Sequence, residues 1–136
     1  HGLTSLASAF ANKSILKFVS VDSSNVQNFS LMWRSSNIPK IELNLLSATN
    51  VSNMFLTTKC DEVYLSNLGI SLSITIATLS LESVKFILDH CQDKTDTPYT
   101  LTLNAAVKTA FLAKCDEDAE YAASLASANA KGLTLA

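Results

Sequence analysis

Apolar residues in this chain recur every 22 positions, and that period constrains the fold more than any single motif. Aligned, "SILKFVSV", "NIPKIELN" and "KCDEVYLS" place Leu16, Ile38 and Cys60 in one column. Val19, Ile41 and Val63 form a second column, and Val21, Leu43 and Leu65 a third. Upstream, Phe10, Met32 and Met54 keep the same step, as do Trp33 and Phe55. Columns held at one period predict a stack of similar passes of chain, each with a short strand whose alternate side chains point inward. One pass cannot bury its apolar face alone, so neighbouring passes must pair as a parallel sheet. "SNVQN" (Ser24 to Asn28) and "TNVSN" (Thr49 to Asn53) stand 25 apart, which reads as a turn that slides while the strand columns hold. Asn25, Asn50 and Asn67 are the expected turn residues, bonding backbone groups that leave the sheet.

From about Ile70 the pattern changes. "ISLSITIATLS" alternates at period two, a strand signal. Ser80 then precedes "LESVKFILDHC", where Val84, Ile87, Leu88 and Cys91 mark one helical face, with Ser80 as N-cap and Glu82 in the first turn. "QDKTDTP" is a loop and "YTLTL" (Tyr99 to Leu103) a strand. Asn104 is placed to cap a short helix through Lys114. Asp116 opens a last helix that stops at Lys131-Gly132 before a final strand, "LTLA". Strands alternating with helices favour parallel pairing. The expected fold is thus a single α/β domain over 1–136. Degenerate 22-residue repeats over about 3–70 form a short solenoid with a parallel sheet, and helical rungs over about 71–136 cover its open edge.

The composition removes several classes of function. Nearly half of the residues are apolar, 16% are charged and the net charge is −2. A nucleic-acid partner would need a basic face that this chain lacks, and disorder would need lower hydrophobicity and more charge. No apolar run reaches the ~18–20 residues of a membrane helix. The His1-Gly2 start reads as a cut domain boundary or a cloning remnant, which leaves room for a signal or anchor outside this sequence. Cys60, Cys91 and Cys115 include no CxxC pair; two of them can form a disulfide, but small buried hydrophobes are the better reading. With only His1 and His90, the spacing of a Cys/His zinc site is missing, and no cofactor is expected.

"SNVQN", "TNVSNMF" and the 22-residue columns resemble the BspA-like leucine-rich repeat family, whose rungs run roughly "LDLSNFDTSNVTNMSSMFxGCSSLTS". The closing "LSLESVKFIL … YTLTLN … EDAEYAASLASANAKGLTLA" is similar to the C-terminal cap found in many such proteins of gut bacteria and their phages. Here the family's Gly-Cys is absent from the first two rungs, and Leu133 stands where the cap usually carries Trp. The resemblance implies a non-catalytic adhesion and binding module, extracellular on a cell surface or borne on a virion, that recognises a protein or glycan on another cell or virion.

Side chains that suggest chemistry have simpler explanations. Asp89, His90 and Cys91 are adjacent on a predicted helix and point in different directions, so adjacency gives no dyad; His90 suits a helix C-terminus. Asp116, Glu117, Asp118 and Glu120 lack the spaced ligands and Gly of a calcium loop and fit a helix N-terminus. Asn12-Lys-Ser, Asn28-Phe-Ser and Asn50-Val-Ser match the glycosylation pattern, which arises readily by chance in an Asn- and Ser-rich chain. No G-x-S-x-G, P-loop, HExxH or paired-carboxylate pattern is present, so an enzyme is not expected.

That leaves the outward face of the repeat sheet. Lys17, Ser20, Lys40, Glu42, Glu62 and Tyr64 alternate with the inward columns and are the expected partner-binding residues. Trp33 shares a core column with Phe55; Phe29 and Tyr64 lie off the columns as candidate exposed aromatics, Tyr64 first. The alternative role is structural, a virion or fibre part that packs against copies of itself.

Overall fold

A computed structural model describes residues 3–14 and 22–136. Leu16, Val19 and Val21, the first members of three columns, and the outward Lys17 and Ser20 lie outside these residues. The elements run β1 (Lys40–Asn44), β2 (Glu62–Ser66), β3 (Leu72–Ile74), α1 (Leu81–Asp89), β4 (Tyr99–Leu103), α2 (Ala105–Glu117), α3 (Ala119–Ala130) and β5 (Leu133–Leu135). The fold is mixed α/β, with short parallel sheets and three helices among the described residues.

β1 and β2 pair in parallel, Ile41 beside Val63 and Leu43 beside Leu65. The period therefore sets the register directly. All four side chains are buried, each worth roughly 1.5–3 kcal/mol relative to exposure. Lys40, Glu42, Glu62 and Tyr64 alternate with them on the other face.

A second ladder runs through the segments between strands. The N–H groups of Leu6, Ser8, Phe10 and Asn12 donate to the carbonyls of Asn28, Ser30, Met32 and Arg34 at 2.8–3.0 Å. Phe29, Leu31, Trp33 and Ser35 donate in the same way to Asn50, Ser52, Met54 and Leu56. Between these, Met32, Arg34 and Ser36 close tight turns onto Phe29, Leu31 and Trp33. Such a spiral needs left-handed residues, and Leu31, Ser35, Asn53 and Thr57 have φ of 57°, 54°, 53° and 55°. For Leu31, Ser35 and Thr57 this costs on the order of 1–2 kcal/mol each, whereas Asn tolerates the left-handed region.

The residue that starts each spiral is polar. Asn28 Oδ1 accepts from the Ser30 N–H at 2.9 Å, and Asn50 Oδ1 from Ser52 at 3.0 Å. Ser5 plays this part in the first pass, accepting from Ala7 at 3.3 Å. Two sequence expectations are corrected here. The turn does not slide, because Asn28 bridges Asn50, 22 residues on, and Asn28 rather than Asn25 is the turn residue. The offset of one lies between the first two passes, where Ser5 bridges Asn28 and Ser14 bridges Asn37. Phe10 is consequently the counterpart of Trp33, not Met32: their rings stack with centroids 4.7 Å apart and planes 12° apart. Hydroxyls follow the same spacing, Ser36 Oγ donating to the Phe10 carbonyl and Thr58 Oγ1 to the Trp33 carbonyl.

α1 occupies the place of the next strand beside β2. Ser80 N–H donates to the Asp61 carbonyl at 2.8 Å, Val63 N–H to Ser83 Oγ at 2.9 Å, and Asn67 N–H to the His90 carbonyl at 2.8 Å. The helix thus closes the edge of β2 with a side chain and its two ends, at a position where a bare edge would invite pairing. Ser80 caps it, accepting from the Ser83 N–H at 3.2 Å. The strand expected over 70–80 shortens to β3, which heads a separate parallel sheet ordered β3-β4-β5. The helix from Asn104 runs beyond Lys114 to Glu117, and Asp118, not Asp116, caps α3 by accepting from Glu120 at 2.9 Å.

Candidate functional site

The outward face of β1 and β2 gathers the expected contact residues that the structure describes. Parallel register sets Lys40 beside Glu62 and Glu42 beside Tyr64. Lys40 Nζ lies 3.0 Å from Glu42 Oε1 and 5.2 Å from the centre of the Tyr64 ring. The Tyr64 hydroxyl donates to Glu62 Oε1 at 2.7 Å. Both partners of the Lys40–Glu42 pair are well exposed, so it contributes under about 1 kcal/mol of stability and remains open to exchange for a ligand's charge.

Phe86 of α1 completes this face and was missed from sequence. Its ring and that of Tyr64 meet edge to face with centroids 5.3 Å apart, and His90 stacks on it at 4.0 Å. His90 Nδ1 lies 2.8 Å from the Phe86 carbonyl, which fixes the imidazole at the end of the helix. The signal was in the period: Glu42, Tyr64 and Phe86 are each 22 residues apart. Extending the outward column one step would have found Phe86, but the switch from strand to helix at Leu81 hid it. Phe29 is corrected in the opposite sense: it is fully buried and contributes to the core.

Lys40, Glu42, Tyr64, Ser66 and Phe86 line a shallow cavity of about 490 Å³, within the range of small-ligand sites. The hydrogen bond to Glu62 raises the Tyr64 phenol above its ordinary value of 10.0, with partial burial adding to the effect. Tyr64 therefore stays a neutral donor at physiological pH. The nearby buried thiol of Cys60 is pushed up to about 11, mainly by desolvation; a thiol, not a thiolate, is present at neutral pH. All three cysteines are free. Among the described residues no three His, Cys, Asp or Glu side chains come together to hold a metal ion. Nor is any described helix long and apolar enough to cross a membrane. What the face offers is two aromatic surfaces, a phenol donor, a cation and carboxylates.

No protein-family model, no curated protein and no solved structure matches the chain.

Proposed function

We propose that the chain is a non-catalytic binding and adhesion module that recognises a protein or glycan through the outward face of β1, β2 and α1. The observation that carries this reading is the Tyr64–Phe86 edge-to-face pair beside the exposed Lys40–Glu42 ion pair. Aromatic surface next to adaptable polar groups is the chemistry by which binding faces anchor partners. The stacked 22-residue register supports a leucine-rich-repeat solenoid of the BspA-like kind, with α1 to β5 as its C-terminal cap. In that setting the module works outside the cell, on a surface or a virion, without catalysis or cofactor.

A panel of immobilised glycans and surface proteins tests this reading, probed with the wild type and with Tyr64→Ala and Glu42→Ala. Binding that both substitutions abolish, with unchanged thermal unfolding, supports the face. Binding indifferent to both, or binding to no member of the panel, contradicts it.

A further inference from the structure

A second surface, distinct from that face, follows from the direction of the spiral ladder. In each of the first two passes, four alternate N–H groups point forward and meet four carbonyls of the next pass. The third pass has the same backbone, Asn53 and Thr57 repeating the left-handed φ of Leu31 and Ser35. Its forward donors are therefore Val51, Asn53, Phe55 and Thr57. Among the described residues none of these four N–H groups has an acceptor. Each terminates a hydrogen-bonded column of peptide groups, such as Leu6 to Asn28 and Phe29 to Asn50, an arrangement in which successive bonds polarise one another.

The fourth pass fails to cover them for a reason visible in its residues. The spiral begins at Asn28 and Asn50, and 22 residues further the chain has Leu72, which cannot accept the turn-starting bond. "SLSIT" instead alternates at period two, becomes β3, and pairs with β4. Between the third pass and β3 lies an open cavity of about 530 Å³. Val51, Asn53 and Phe55 line one side, and Ser71, Ser73 and Thr75 the other. No charged side chain lines it. β3 is the outermost strand of its sheet, and Ser71, Ser73 and Thr75, on it and at its ends, line the cavity together with Thr100 and Thr102 of β4.

We propose that this cleft takes one uncharged segment of another polypeptide, inserted as the missing pass with its alternate carbonyls on the Val51–Thr57 row. The occupant's chemistry is set by continuity with the ladder. Twice in this fold the row is filled by a segment of the form Asn-x-Ser-x-Met-aromatic, at 28–33 and 50–55. Backbone bonds supply affinity in such strand addition, and side-chain pockets supply selectivity.

The test is amide NMR on the labelled full chain titrated with a synthetic peptide of residues 49–58, "TNVSNMFLTT", and with its scrambled version. The expected result is shifts at the Val51, Asn53, Phe55 and Thr57 amides. Their hydrogen exchange should slow about tenfold at a peptide concentration ten times the Kd. Ser73→Arg, which fills the cleft from an exposed position of β3, should abolish both effects while the spectrum stays folded. The proposal is overturned if the four amides do not respond, or if the scrambled peptide acts equally. It is overturned also if Ser73→Arg changes nothing, or if a neutral oligosaccharide such as chitohexaose shifts these amides and the peptide does not.

Discussion

The amide of Val63, in β2, donates to Ser83 Oγ, in α1, at 2.9 Å. A helix side chain thereby stands where a neighbouring strand would present a carbonyl. Both residues are fully buried, so water cannot replace the bond. Ser83→Ala should cost about 1–3 kcal/mol, the penalty of a buried donor left unmade. Thermal unfolding should fall by a few degrees per kcal/mol, and exchange at the Val63 amide should accelerate more than at Leu103 in the other sheet. Unchanged stability would mean that the edge of β2 is closed by something other than Ser83.

Leu65 is fully buried opposite Leu43 in the same register that the 22-residue period defines. Leu65→Ala removes apolar surface and leaves a cavity, a loss of about 2–5 kcal/mol. Denaturant titration should show a lower midpoint with an unaltered slope. The neighbouring outward Ser66→Ala should change the unfolding free energy by less than about 1 kcal/mol. Equal effects at both positions would refute the inward–outward assignment.

Gly132 links α3 to β5 with φ of 92°. A Cβ there would stand 2.7 Å from the Lys94 carbonyl oxygen, while the flanking bonds Lys94 to Lys131 and Tyr99 to Gly132 hold the backbone in place. Gly132→Ala should therefore destabilise by more than about 1 kcal/mol. A neutral or stabilising result in a thermal melt would show that the linkage relaxes freely.

Tyr64 gives a pH signature. Its folded pKa is raised above 10.0 by the Glu62 hydrogen bond and burial, so the folded state holds the phenolic proton more tightly than the unfolded state. This contribution to stability is fully present below the unfolded pKa and is lost as the pH rises through the folded one. Ring resonances of Tyr64 should titrate above the ordinary tyrosine range, and Glu62→Gln should bring the midpoint down. A midpoint unaffected by Glu62→Gln would remove the hydrogen bond from the account.

Much of this architecture was legible because burial and register share one period. Ile41, Leu43, Val63 and Leu65 were readable as a core face, and Ser80 and "YTLTL" as a cap and a strand, from side-chain type alone. The turn was misread because "SNVQN" and "TNVSN" look alike in letters while hydrogen bonding aligns Asn28, not Asn25, with Asn50. One extra residue between the first two passes also shifted Phe10 onto Trp33, which no composition or periodicity argument weighs against Met32. On the candidate face, Lys40, Glu42, Glu62 and Tyr64 followed from alternation. Phe86 did not, because its column continues across a change from strand to helix. The unfilled donor row was hidden for a related reason: a backbone group left without a partner has no signature in side-chain pattern.

The proposed function holds partners on the face of Tyr64 and Phe86. Its most direct test compares binding of the wild type, Tyr64→Ala, Phe86→Ala and the double variant to whichever glycan or protein the panel identifies, alongside far-UV circular dichroism and thermal melts. Each single substitution should weaken binding by roughly tenfold or more, a hot-spot loss above about 1.4 kcal/mol. The double variant should lose less than the sum of the two, because the rings touch. Full-strength binding by the folded double variant would rule this face out.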